Sequence, residues 1–103
     1  MALVNFQVMP AVRVDAVLVT PPPSKTKTGA IVWMHSGGVF QQLPDAMLLG
    51  EAGAVSLVIN PILPNWNGSP ETWRQAMVQA VVSVRRALDL LLRRSDTDAE
   101  RLA

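Results

Sequence analysis

Ala30-Ile31-Val32-Trp33-Met34-His35-Ser36-Gly37-Gly38 is the stretch on which the reading turns. Its first five residues are apolar without a break, and turn formers bound them on both sides. Continuous apolarity, unlike strict alternation, predicts a strand covered on both faces, as in a sheet flanked by helices. The strand runs directly into a histidine, a serine and two glycines, a loop in which the backbone can approach a ligand closely.

Upstream, residues 21–29 (Pro-Pro-Pro-Ser-Lys-Thr-Lys-Thr-Gly) cannot pair in a sheet, because three prolines lack donors and the remainder is polar. Before this surface connection, Val12 to Thr20 places Val12, Val14, Ala16 and Leu18 in alternation with Arg13, Asp15, Val17 and Val19. Period two with β-branching predicts a strand, half exposed at its start and more buried at its end. A shorter strand is expected around Leu3 to Val8. Downstream, Pro44 to Ala52 reads as a short helix, with Asp45 near its positive end and Gly53 just past its close. Val55 to Ile59 is the next buried strand, closed by Asn60-Pro61, and a loop follows to Gly68.

Ser69-Pro70-Glu71 opens the last element with a capping hydroxyl, a proline at the first helical position and an acid in the first turn. Trp73, Met77, Ala80, Val81, Val84, Leu88, Leu91 and Leu92 recur at helical spacing and are the expected buried face. Arg74, Gln75, Gln79, Arg85, Arg86, Asp89 and Arg93 fill much of the other side. Ser95 to Glu100 reads as a polar loop. Strands alternating with helices predict an α/β layer structure of three to four strands, mostly parallel, with one short helix and one long C-terminal helix.

Composition narrows the function. The 103 residues are 50% hydrophobic and 17% charged, which is not the profile of a disordered chain. Nine Lys and Arg face eight Asp and Glu, so the net charge of +1 supplies no bulk attraction to nucleic acid or to an acidic membrane. With no cysteine and one histidine, thiol chemistry, disulfides and a Cys- or multi-His metal site are excluded, and no metal or cofactor is expected. The first ten residues lack a basic, long-apolar signal pattern, and Met77 to Leu92 is too short and too charged to span a bilayer. A cytoplasmic location is the default expectation.

The order of elements and three segments together resemble the N-terminal part of an α/β-hydrolase, nearest to dienelactone-hydrolase and peptidase-like esterases. Gly29 to Gly38 is similar to that family's third strand and His-Gly-Gly motif. Glu51 to Pro61 is similar to its helix end and fourth strand. Val84 to Leu91 with Asp96 to Leu102 is similar to the helix and loop that precede the nucleophile strand. The resemblance covers residues 12–103 and implies a strand order of first, second, fourth, third, fifth. It also implies that residues 1–103 are the N-terminal part of one incomplete domain. The Gly-x-Ser-x-Gly elbow that exposes a hydrolase's nucleophile is absent from the sequence. By resemblance the serine, the acid and the histidine of the triad would all lie after Ala103, so this chain is expected to be inactive by itself.

What the resemblance leaves within the chain is part of an oxyanion hole, with Gly37 and Gly38 as backbone donors and Ser36 in place of a glycine of the usual motif. Spacing alone reads the two glycines as a tight turn. His35 is read as a structural residue that holds the loop, and Ser36 beside it is not a nucleophile, since adjacent side chains on extended backbone point opposite ways. Trp33 and Trp73 read as core, which leaves Trp66 as the one candidate for a pocket. The five arginines from Arg85 to Arg101 read as solvated charges. The expected partner of a full-length relative is a small ester, lactone or amide. The alternative is a small non-catalytic α/β module for interaction or for binding an anion at His35 to Val39, although no phosphate-loop pattern follows the strand. If the nucleophile strand is missing, Ala30 to Met34 becomes a free sheet edge, and self-association through it is expected.

Overall fold

The computed structural model describes residues 1–10, 12–22, 26–34, 42–60 and 68–103. The elements run β1 (Ala2–Met9), β2 (Val12–Val19), β3 (Thr28–Trp33), α1 (Leu43–Glu51), β4 (Val55–Asn60), α2 (Pro70–Leu92) and β5 (Thr97–Leu102). They build one five-stranded sheet in the order β1-β2-β4-β3-β5. The order is the one the resemblance implies. The strand count and direction are not as expected: there are five strands, and the sheet is mixed. β1 pairs β2 and β2 pairs β4 antiparallel, whereas β3 runs parallel to both β4 and β5. Chain length between strands explains this. The two residues between β1 and β2 permit only an antiparallel return, while α1 and α2 are crossovers long enough to restore strand direction.

Alternation along β4 defines the two faces. Val55, Leu57 and Ile59 join Phe6, Val8, Val14 and Ala16 under α2, through its Ala87 and Leu91. Val58 joins Val17 and Val19 under Ala46 of α1. One helix therefore covers each face, and β4 has five consecutive buried residues, Val55 to Ile59, as expected of a buried strand. Gly53, just past α1, has φ +103, a left-handed conformation that favours glycine.

α2 begins as its sequence announces. Ser69 is extended, its hydroxyl accepts from the backbone N–H of Thr72 at 3.2 Å, and Pro70 opens the helix. Its buried face differs from expectation. Ala76, Ala80, Ser83, Ala87 and Leu91 are buried, while Met77, Val81 and Leu92 are 54%, 55% and 47% exposed. The buried stripe is rotated from the expected one by roughly 75°, at about 100° per residue. Small side chains let the helix axis approach the sheet, and Ser83 is tolerated there because its hydroxyl donates to the carbonyl of Gln79 at 2.7 Å.

The chain's last residues also differ from expectation. Thr97–Leu102, read as mostly polar loop, is the strand that flanks β3. Thr28 N–H donates to the Asp96 carbonyl at 2.8 Å, Ala103 N–H to the Ala30 carbonyl at 2.9 Å, and Val32 N–H to the Ala103 carbonyl at 2.7 Å. β3 is therefore no sheet edge, and the expected self-association through it loses its basis. The register is irregular between Thr28 and Ala30, and a Cβ on Gly29 would stand 3.2 Å from the Arg101 carbonyl oxygen, so β5 crosses that glycine closely.

Candidate functional site

Two strands end side by side in the sheet. β3 and β4 are parallel neighbours, with Trp33 opposite Val58 at the end of their pairing. The chain leaves β3 toward α1 on one face and leaves β4 toward α2 on the other. Adjacent carboxyl ends whose connections diverge to opposite faces form a switch point, where open α/β sheets place their ligands. The segments that leave there are 35–41 and 61–67. His35, Ser36, Gly37, Gly38 and Trp66, the five residues singled out from sequence, all lie in them and therefore outside the described residues.

The described residues show how the base of this region is held. Trp33, the last residue of β3, lies on the α1 face against the cluster of Val17, Val19, Ala46 and Val58. Its indole N–H donates to the Ser56 hydroxyl at 3.0 Å, and Ser56 is fully buried. This bond ties the carboxyl end of β3 to β4 just before the glycine loop departs. Trp33 is thus partly core, as expected, with a polar anchor in Ser56. Ser56, a hydroxyl among the apolar residues of a buried strand, is the sequence signal of that anchor. Met34, the next residue, is 44% exposed.

The opposite end of the sheet is fastened by charge. Arg94 forks onto Asp96 with two bonds of 2.9 Å, and the Thr28 hydroxyl donates to the Asp96 carbonyl at 3.2 Å. Hydrogen bonding to Arg94 holds the Asp96 carboxyl below its ordinary pKa. A polar cavity of about 280 Å³ lies here between Thr20, Pro21, Thr26 and this pair. It is at the amino ends of β3 and β5, away from the switch point, and its ion pair closes the turn between α2 and β5, whose Asp96 carbonyl accepts from Thr28 of β3. Arg94 and Arg101 are therefore not bare solvated charges: Arg101 bonds Asp98 at 2.9 Å and the Lys27 carbonyl at 2.7 Å. Among the described residues no three His, Cys, Asp or Glu gather as metal ligands, and no helix is long and apolar enough to cross a membrane.

No family model and no curated protein matches the chain. Solved structures do. A thermophilic esterase from the planctomycete Thermogutta terrifontis superposes with a TM-score of 0.72 at 15% identity, covering 98% of this chain and 38% of the esterase. Esterase 2 of the same organism, phosphonylated by cyclosarin, gives 0.70 at 14% identity, covering 98% and 40%. An acetyl xylan esterase from Paenibacillus sp. R4 gives 0.59 at 15% identity, covering 98% and 43%. At such identities the likeness is one of fold: the chain has an esterase-like α/β fold. It spans about two fifths of the length of these esterases.

Proposed function

We infer that residues 1–103 are the N-terminal part of a serine-hydrolase domain, one that cleaves an ester, lactone or amide through an acyl-enzyme. One observation carries this reading: the order β1-β2-β4-β3-β5, with the glycine loop leaving β3 at the switch point, over a chain whose whole length follows esterase structures. Acyl transfer develops negative charge on a carbonyl oxygen, and backbone N–H groups fixed on a strand end stabilise it. In this reading Gly37 and Gly38 supply such donors, His35 and Ser36 shape the loop, Trp66 borders the substrate, and the Trp33–Ser56 bond keeps the strand end in place. The dienelactone-hydrolase and peptidase-like esterases are the nearest kin on the sequence motif. β5 occupies the position beside β3 from which a nucleophile would project beyond Ala103.

The nucleophile, acid and base are thus supplied by residues beyond this chain, and Met1–Ala103 alone is inactive. Self-association belongs to the same reading, through the edge of β1 rather than β3: β1 is eight residues long, has no charged side chain, and exposes Leu3 at 82%. The test uses the purified chain. Hydrolysis of p-nitrophenyl acetate is expected at the rate of a His35→Ala control, with no adduct in the mass spectrum after treatment with a fluorophosphonate. Stoichiometric phosphonylation of Ser36 would show that the chain carries its own nucleophile.

A further inference from the structure

A cleft between β1 and the second half of α2 has no role in the hydrolase reading and lies away from the switch point. Its inner part is a cavity of about 240 Å³, walled by Val4, Phe6, Leu18 and Leu57 from the sheet and by Leu90 and Leu91 from α2. Its outer part, about 300 Å³, shares Asn5, Phe6 and Leu90 with the inner one and is bordered by Arg13, Arg86, Arg93 and Asp89. An apolar hollow therefore adjoins a second one, on shared walls of Asn5, Phe6 and Leu90, that is bordered by three cations and one carboxylate.

The outer hollow's charge is not neutralised from within. Ion pairs among the described residues are Arg74–Glu71, Arg94–Asp96 and Arg101–Asp98, so Arg86 and Arg93 have none. Arg13 spends two donors on the neutral Asn5, whose amide in turn donates to Asp15 at 2.7 Å. Arg94 reaches the inner cavity but is held by its fork on Asp96. The unpaired cations thus border the outer hollow and not the apolar chamber. Such an arrangement fits one kind of small molecule: an unbranched apolar chain ending in a single anion.

We propose that this cleft binds a medium-chain monocarboxylate, its tail in the chamber and its carboxylate at Arg86 and Arg93. A cavity of about 150 Å³ accommodates benzene, so the chamber has space for a chain of about eight carbons. The carboxylate would gain charge-assisted hydrogen bonds from guanidinium groups that make no ion pair among the described residues.

The probe is octanoate, titrated into the ¹⁵N-labelled chain and followed by amide shifts, with octylamine and 1-octanol as matched tails of other charge. Octanoate is expected to move the amides of Val4, Phe6, Leu90 and Leu91 saturably and to bind more tightly than octanol, with octylamine weakest. Arg86→Glu and Arg93→Glu alter exposed side chains, and each should weaken octanoate about tenfold, the scale of one charge-assisted hydrogen bond, leaving octanol unchanged. Arg86→Gln repeats the test without reversing charge. Octylamine binding as well as octanoate, unchanged octanoate affinity in the arginine variants, or shifts confined to residues near Trp33 and Ser56 would each overturn the proposal.

Discussion

Ser56 shows how much one hydroxyl does in this fold. It is fully buried in β4, and its oxygen accepts from the Trp33 indole N–H. Ser56→Ala leaves that donor without its partner, and the expected cost is about 1–3 kcal/mol by urea unfolding. A variant as stable as the parent would mean that the indole is satisfied elsewhere. Asp96 gives a prediction in pH. Its folded pKa is lowered, chiefly by hydrogen bonds from Arg94. The stability it contributes is therefore fully present above the unfolded carboxylate value, about 4, and is lost as pH falls through the lower folded value. Asp96→Asn should remove that part of the acid limb, so the variant loses less stability than the parent between pH 5 and pH 2 (roughly the interval over which a paired aspartate titrates). Parallel acid limbs would count against the coupling. Neither interaction was legible in sequence: Ser56 acquires its role only when β3 lies beside β4, and the Arg94–Asp96 fork sits in a polar turn whose composition reads only as loop.

At the scale of elements, the strongest local signals gave the right structure and the weakest misled. The cap at Ser69, the proline at 70 and the glycine past α1 all act as their chemistry requires. The buried face of α2 was misjudged because the helix carries two adjoining apolar stripes, one of small residues and one of large. Size drew attention to Met77, Val81 and Leu92, but close packing against a sheet selects Ala76, Ala80, Ser83 and Ala87. Leu91→Ala is accordingly expected to cost about 2–5 kcal/mol and Met77→Ala no more than about 0.5, measured by thermal or urea unfolding. A cost at Met77 as large as that at Leu91 would restore the face expected from periodicity. β5 was hidden for a different reason. An edge strand has one side in water, so Asp98, Glu100 and Arg101 read as loop, although backbone pairing with β3 needs no apolar side chain.

At the scale of the molecule, a mixed sheet with one helix on each face brings the carboxyl ends of β3 and β4 together and sends their loops apart. That architecture was readable as α/β from the alternation of elements, and the resemblance supplied the strand order. The two antiparallel pairings were not foreseen, because apolar periodicity carries no strand direction. The five residues singled out for the site fall in the two segments that follow β3 and β4 in sequence, outside the described residues. Their placement in the chain, not their geometry, is what links sequence to function. The esterases that match extend well beyond the matched portion, and a hydrolase of this order needs a serine on the turn that follows β5. The most direct measurement is therefore the coding sequence past Ala103. The hydrolase reading predicts a Gly-x-Ser-x-Gly pattern within about twenty residues of Ala103, at the end of the strand that β5 begins. A reading frame that closes there, or continues without such a serine, would contradict it.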